Sequence, residues 1–289
     1  MSQDLPHRSR RPSLECPRMT PADLEASAPP ILCALDGAVA TVTLNRPERL
    51  NALDLPMWSA LGDVFLDLAH QAAPAGPVRA VVLRGAGGKA FAAGADIGEF
   101  DTVRATPAQA QAYDEVMRRA LSAVADCPAP VIAAIEGACV GGGLELACLC
   151  DLRLANASAR FGVPITRIGV VMAYPEIQGI LRLAGPANVL SLLLEGRIVA
   201  AEEALRLGLV NRVVADDTFA GHLAETIKAV TQGAPGVNAW HKAFVRRLAD
   251  PRPLDAGEME ECYRFLETED YREGIAAFKA KRKPVFTGR

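Results

Sequence analysis

The residues of this chain best suited to chemistry are one glutamate and the glycines just before it. The glycines at 141–143 follow the apolar run 130–135, and Glu145 comes next in a stretch of helix-forming composition. The run is short, β-branched and bounded by Pro and Gly, so it predicts a buried strand. Glycines allow a ligand to approach the backbone closely, and the free N–H groups at a helix start favour negative charge. The pattern predicts a strand, a glycine turn and a helix, with a carboxylate one step inside the helix.

A second glycine-rich stretch, 84–97, follows another apolar run at 80–83. Two strand-to-glycine turns can supply two backbone N–H groups to one oxygen, which is the requirement of an oxyanion hole. The plainer interpretation is that the glycines only allow tight strand–helix packing and that Glu145 is a solvated helix residue.

At these residues the sequence resembles the crotonase superfamily of enoyl-CoA hydratases and isomerases. The segment 91–97 reads Phe-Ala-Ala-Gly-Ala-Asp-Ile and 141–146 reads Gly-Gly-Gly-Leu-Glu-Leu, similar to the two signature segments of that family. Further similar segments occur in the family's order at 45–53, 161–164, 196–198, 204–210, 273–278 and 281–283. The resemblance covers residues 31 to 289.

The resemblance implies an α/β fold, a crotonase-like spiral of repeated ββα units with a C-terminal helical trimerisation region. The residues alone indicate alternating strands and helices, which is typical of a layered α/β architecture, and then helices. We expect a disordered tail over 1–30, a core with the CoA-thioester site over 31–215, and a helical oligomerisation region over 216–289. The expected assembly is a homotrimer or homohexamer.

Local patterns predict the elements in more detail. Strands are expected in a hairpin at 31–35 and 38–44, then at 78–83, 130–135 and 151–155. Helices are expected at 56–71, 107–126, 175–183, 186–194, 201–207, 217–231 and 235–248.

Composition limits the function classes. The chain has 289 residues, half of them hydrophobic, enough for a sizeable core. Its net charge of −3 provides no basic footprint for nucleic acid, and no apolar stretch approaches the roughly 20 residues of a membrane span. Seven scattered cysteines and four histidines lack metal-ligand spacing. We expect a cytoplasmic, reducing location, no metal and no membrane, and no cofactor beyond the coenzyme A of the substrate.

The resemblance assigns the central chemistry to three residues. The backbone N–H groups of Ala95 and Gly142 would form the oxyanion hole that stabilises an enolate of the thioester. Glu145 matches one of the two catalytic glutamates of the hydratases. A carboxyl group in an apolar pocket has a raised pKa, which suits it to act as both acid and base.

The second glutamate of the hydratases is missing, and Ile165 occupies its position. Isoleucine cannot transfer a proton. Glu176, on an expected helix N-terminus, would be a substitute acid or a favourable first-turn charge. Tyr174 would donate a proton or line the pocket.

The resemblance also implies residues that contact the substrate. Along the thioester and pantetheine these are Asp96, Ile97, Gly98 and Gly141; at the nucleotide end they are Arg49, Leu50, Phe278 and Lys281. Plainer interpretations stay open: Asp96 as the cap of the next helix, Arg49 as a solvated loop charge, and Lys281 as part of a solvated basic tail.

The leading hypothesis is an enzyme that acts on an acyl-CoA through an enolate, with enoyl-CoA hydration as the expected reaction. Isomerisation, thioester hydrolysis and decarboxylation are alternatives within the family, and a noncatalytic CoA-thioester binder is the alternative outside enzymes. A nucleotide hydrolase or dehydrogenase is disfavoured, because the glycine run at 85–89 lacks P-loop spacing and no G-x-G-x-x-G follows a strand. No G-x-S-x-G elbow of a serine hydrolase occurs.

Overall fold

The computed structural model describes residues 28–72 and 74–289, so nearly all of the tail expected over 1–30 lies outside the described residues. The strands are β1 Ile31–Asp36, β2 Val39–Leu44, β3 Ala80–Gly85, β4 Ala90–Ala92, β5 Val131–Ile135, β6 Ala138–Val140, β7 Leu152–Asn156, β8 Arg160–Gly162, β9 Ile198–Ala200 and β10 Arg212–Val214. The helices are α1 Leu55–Gln71, α2 Phe100–Val103, α3 Pro107–Asp126, α4 Gly142–Leu149, α5 Tyr174–Glu195, α6 Ala201–Arg206, α7 Phe219–Thr231, α8 Pro235–Arg247, α9 Ala256–Glu261 and α10 Glu269–Lys279.

The strands form two sheets that the chain visits alternately. One sheet has the order β1-β2-β3-β5-β7-β10 and the other has the order β4-β6-β8-β9. Consecutive strands β3 and β4, β5 and β6, and β7 and β8 each place one strand in each sheet, and a helix follows each pair. Apart from the antiparallel pairs β1–β2 and β8–β9, the pairings are parallel. This is the predicted spiral of ββα units.

Helices α1 and α3 pack together over the core. Asp54 caps α1 by accepting from the Met57 N–H, and Thr106 and Gln109 form a capping box at the start of α3. Helix α3 turns a stripe of apolar side chains toward the core. The buried members of that stripe are Tyr113, Met117, Ala120, Leu121 and Val124.

The two helices predicted at 175–183 and 186–194 are one run, α5, broken at Gly185, where φ is 73° and ψ is 165°. The following residue, Pro186, lacks the N–H needed to continue the helix. By length and composition α5 is apolar enough to cross a membrane, which differs from the expectation that no apolar stretch approaches the length of a span. However, its inner side contributes Ile180, Val189 and Leu192 to the core.

The C-terminal helices are attached to the core by buried and half-buried polar contacts. Lys242 of α8 lies 2.6 Å from the Asp151 carboxylate, which also accepts from the Val131 N–H at the start of β5. The last residues fold back on α10, where the buried Asp270 carboxylate accepts from the N–H groups of Thr287 and Gly288. The boundary expected between residues 215 and 216 stays a prediction.

Candidate active site

A cavity of about 320 Å³ opens between the two glycine turns and the start of α5. Its wall includes Ala95, Gly142 and Glu145, which the resemblance singled out, and also Ile97, Gly141, Ile165 and Glu176. Most of the remaining wall is apolar, with Trp58, Phe100, Met117, Val163 and Met172 among its members. One cavity therefore contains two carboxyl groups, two glycine turns and a predominantly apolar surface.

The proposed oxyanion donors lie side by side. A Cβ atom built on Gly142 would lie 3.8 Å from the Ala95 nitrogen. In the described residues neither of these N–H groups has an acceptor. Gly142 is the first residue of α4, and the first N–H groups of a helix have no partner within it. The residues on either side of Ala95 hydrogen-bond to the neighbouring backbone segment, but the Ala95 N–H does not. Two free backbone donors thus face one cavity.

Glycine is required where the two turns meet. A Cβ on Gly143 would lie 2.5 Å from the Ala92 carbonyl oxygen, so only glycine lets the start of α4 approach β4 this closely. Gly94 has a φ of +102°, which other residues rarely adopt. The same residues therefore set the packing and bring the two donors together, so both interpretations of the glycines hold.

A polar frame holds the Ala95 loop in place. Arg46 donates to the Ala52 carbonyl at 2.8 Å and forms ion pairs of 2.9 Å with both Asp54 and Asp96. Glu99 accepts from the Leu55 N–H at the start of α1. The loop that contains Ala95 is thus fastened to the segment that begins α1.

Asp96 has the capping role considered from the sequence. Its carboxylate accepts from the Gly98 N–H at 3.1 Å, at the start of a short 3-10 helix, Ile97–Glu99. Burial raises the pKa of Asp96, but hydrogen bonds from Arg46 and Gly98 outweigh it, so the pKa lies below its usual value. Asp96 and Gly98 do not line the cavity.

Glu145 has the environment of an acid–base group. It is buried, and its Oε1 atom has no hydrogen-bond partner in the described residues. Burial raises the pKa of Glu145 well above its usual value; the nearby charges of Glu176 and Asp114 raise it further, and Arg104 opposes them. A carboxyl group with a raised pKa, in one cavity with two free N–H donors, can deliver a proton to a bound substrate.

Glu176 is the second carboxyl group of the cavity. Its side chain accepts from the Ala173 N–H at 2.8 Å, so it also satisfies the start of α5. Burial raises the pKa of Glu176, the Ala173 hydrogen bond lowers it, and the charge of Asp114 raises it again, with a raised pKa as the result. The first-turn role and a position in the cavity wall are therefore combined in one residue.

Several predicted contacts lie away from the cavity of the single chain. Tyr174 is 93% exposed at the start of α5 and does not line the cavity, so the pocket-lining role suggested for it is not found. Arg49 and Leu50 lie on the exposed loop before α1, close enough for the charge of Arg49 to lower the pKa of Asp96. Phe278 and Lys281 are exposed at the end of α10.

Two arginines and an aspartate near the site were not predicted from the sequence. Arg46 lies inside a segment that carried the resemblance, and a half-buried role in holding the loop could have been suspected there. Arg104 and Asp114 carried no signal, because they lie ten positions apart with a helix start between them. Trp58, whose Nε1–H donates to the Tyr113 hydroxyl at 3.1 Å, was also missed, since it looks like any core residue of α1.

The fold and the cavity define a class of protein: a two-sheet α/β enzyme in which free backbone donors face a buried carboxyl group. Residues 35–289 match the family model for enoyl-CoA hydratase/isomerase. The chain belongs to the enoyl-CoA hydratase/isomerase family, the crotonase superfamily expected from its sequence, and is an enzyme of that family.

Individual relatives and a solved structure support the same family. The chain is 32% identical over 255 residues to a short-chain-enoyl-CoA hydratase from Clostridium acetobutylicum, covering 88% of this chain and 95% of the relative. It is 37% identical over 259 residues to a probable enoyl-CoA hydratase from Mycobacterium leprae, covering 87% and 95%. A crystal structure of an enoyl-CoA hydratase/carnithine racemase from Magnetospirillum magneticum superposes with a TM-score of 0.88 at 58% identity, covering 91% of this chain and 97% of that one.

Proposed function

We propose that this enzyme adds water across the double bond of an enoyl-CoA thioester. The observation that carries the proposal is that the buried Glu145 and the free N–H groups of Ala95 and Gly142 share one cavity. Addition at the β-carbon moves negative charge onto the thioester oxygen, and two preorganised N–H donors stabilise that charge. Each such donor typically contributes about 10²–10³ in rate. The relatives named as enoyl-CoA hydratases support the same reaction.

The proton transfers are divided between two carboxyl groups in the proposal. One takes a proton from the attacking water, and the other delivers a proton to the α-carbon. Glu145 is one of the pair, and Glu176 takes the part of the glutamate that Ile165 replaces. Support for Glu176 comes from its place in the cavity wall and from its charge, which raises the pKa of Glu145. If Glu145 acts alone, it must both take and return the proton.

The remaining assignments are part of the same proposal. Coenzyme A enters as part of the substrate, with Arg49, Leu50, Phe278 and Lys281 at its nucleotide end, and the assembly is a homotrimer or homohexamer. The described cysteines are free thiols, which suits a cytoplasmic, reducing location, and cell fractionation tests it.

The proposal is tested by measuring turnover in variants that replace each cavity glutamate by glutamine. We expect Glu145→Gln to reduce hydration of the best enoyl-CoA substrate by about 10²–10⁴, because the carboxyl group is lost while the shape is kept. Glu176→Gln should cause a loss of similar size, and Asp63→Asn, in an exposed ion pair with Arg119, should not. Water addition is monitored as the loss of the absorbance of the conjugated enoyl group. Double-bond movement and CoA release are assayed in parallel.

The outcomes separate the alternatives. Full hydration by Glu176→Gln would mean that Glu145 suffices, and full hydration by Glu145→Gln would overturn the mechanism. Double-bond movement without water addition would identify an isomerase. Release of CoA would identify a hydrolase, and loss of carbon dioxide a decarboxylase. Binding of CoA thioesters with no turnover of any kind would leave only a noncatalytic binder.

A further inference from the structure

Arg104 is a cationic side chain in the wall of the acyl cavity. Its guanidinium carbon lies 4.9 Å from the centre of the Phe100 ring and 4.7 Å from that of the Tyr113 ring. Both rings therefore contact the guanidinium group, and such cation–π contacts fix its plane. Only 19% of the side chain is exposed. The guanidinium group is thus held at the cavity wall rather than extended into solvent.

The guanidinium group lacks hydrogen-bonded acceptors. Within residues 28–72 and 74–289 its ion pair is with Asp114, and the closest N–O distance is 3.6 Å, beyond hydrogen-bond length. The Asp114 Oδ1 atom also has no hydrogen-bond partner there. An arginine carries five N–H donors in a planar fork. A largely buried fork without acceptors leaves donors available to a ligand.

The surrounding cavity makes Arg104 selective for one kind of ligand group. Near it the wall is apolar, formed by Phe100 and Met117 among others, and the second arginine of the wall, Arg167, is exposed. Burial raises the pKa of both Glu145 and Glu176, which reduces the negative charge that the two groups together place in the cavity and so weakens their repulsion of an anion. A carboxylate is the group whose two oxygens match the guanidinium fork.

We propose that Arg104 binds a carboxylate at the far end of the acyl group, so that the substrates are thioesters of dicarboxylic acids. This rests on the proposed function, since it takes the cavity as the acyl site. The thioester oxygen faces the N–H groups of Ala95 and Gly142, the reacting carbons lie beside Glu145, and the distal carboxylate meets Arg104. Arg104 is then a specificity residue: an acyl chain that ends in a methyl group leaves its donors without an acceptor.

Binding of saturated thioesters tests the proposal without turnover. Calorimetry would compare succinyl-, glutaryl- and adipyl-CoA with butyryl-, pentanoyl- and hexanoyl-CoA, which match them in chain length. We expect at least one dicarboxylic thioester to bind about tenfold or more tightly than its neutral counterpart, as a charge-assisted hydrogen bond allows. Arg104→Gln should remove that preference.

Matched variants keep the result interpretable. Arg119→Gln, which changes an exposed arginine on α3, should keep the preference. Arg104→Lys retains the charge without the fork and should keep only part of it. A melting temperature of Arg104→Gln equal to that of the wild type shows that the variant is folded, so that a lost preference can be attributed to the guanidinium group.

Two results would overturn the proposal: wild-type protein that binds no dicarboxylic thioester more tightly than its neutral partner, or Arg104→Gln protein that retains the preference. The Glu145→Gln variant distinguishes this failure from failure of the proposed reaction. If hydration survives in Glu145→Gln while the carboxylate preference depends on Arg104, the catalytic proposal fails and the specificity proposal stands.

Discussion

Three carboxyl groups and two arginines lie in or near the cavity, and their charges influence the pKa values of its two glutamates. Glu145 belongs to α4 and Glu176 to α5, while Asp114 and Arg118 lie on α3 and Arg104 lies just before it. Asp114 forms ion pairs of 3.6 Å with Arg104 and 3.7 Å with Arg118. Burial is the main reason why the pKa of Glu145 is raised, and the charge of Asp114 adds to it for both glutamates. Asp114 thus influences proton transfer without lining the cavity.

This arrangement predicts the direction of a pH shift. Asp114→Asn removes a negative charge that favours the protonated forms of Glu145 and Glu176, so both pKa values fall. Both limbs of the pH profile of kcat/KM should then move to lower pH. The measurement is kcat/KM across the pH range for wild type, Asp114→Asn and the control Asp63→Asn. Unmoved limbs, or limbs moved to higher pH, would remove Asp114 from this role.

At the scale of elements, the site depends on how closely α4 approaches β4. The helix begins at Gly142, directly after β6, and Gly143 lies against Ala92 of β4. On the other side, Arg46 and Glu99 fasten the Ala95 loop to the segment that begins α1. Donor geometry is therefore set by the packing of backbone segments rather than by reactive side chains.

A methyl group at Gly143 should disturb this packing. The new Cβ would lie 2.5 Å from the Ala92 oxygen and 2.8 Å from the Ala92 Cβ, so α4 must move and carry the Gly142 N–H with it. We expect Gly143→Ala to cost about 1–3 kcal/mol of stability and to lower kcat by about 10²–10³, the usual contribution of one oxyanion donor. Thermal melts and steady-state kinetics measure both.

Gly179→Ala is the matched control for this change. Its Cβ would lie no closer than 3.4 Å to the Leu149 side chain, an ordinary contact in a helix away from the donors. We expect wild-type kcat there. Gly143→Ala protein with the wild-type melting temperature and kcat would show that α4 tolerates a larger residue at this position.

At the scale of the whole molecule, the single chain does not assemble every predicted contact. Phe278 is 84% exposed and Lys281 is also exposed, both away from the cavity. Other large apolar side chains are exposed on and around the last three helices, including Val245, Leu248 and Tyr263. Exposed apolar patches mark interaction sites, and closed symmetric assemblies are the usual way in which identical chains cover them.

On the family resemblance, we propose that the assembly in solution is a homotrimer or homohexamer. Light scattering should give about three or six times the mass of the 30.6 kDa chain, at micromolar concentration.

In that assembly Lys281→Ala should weaken CoA binding at low salt and have a smaller effect at high salt, because screening reduces a phosphate contact. Lys279→Ala is the control. A monomer, or a Lys281→Ala protein with unchanged CoA affinity at both salt concentrations, would contradict this arrangement.

Local patterns in the sequence were enough to predict much of this protein. The hairpin β1–β2, the long helices α1 and α3, the buried strand β5 and the glycine turn before Glu145 are all present. These features depend on periodicity and on residues close in the chain, which a sequence displays directly. The replacement of the second glutamate by Ile165 was also readable, since it is a matter of residue type at one position.

Only the tertiary structure decided which distant residues share the site. Arg46 meets Asp96 across 50 positions, and Arg104, just before α3, lines the same cavity as Glu145 of α4. Tyr174 and Glu176 are two residues apart, yet the start of α5 exposes the first and directs the second to the cavity wall. Such outcomes depend on helix orientation and on long-range packing, which periodicity does not encode. A short stretch of sequence can therefore indicate an oxyanion hole, whereas the electrostatics of the cavity and its specificity come from the folded chain.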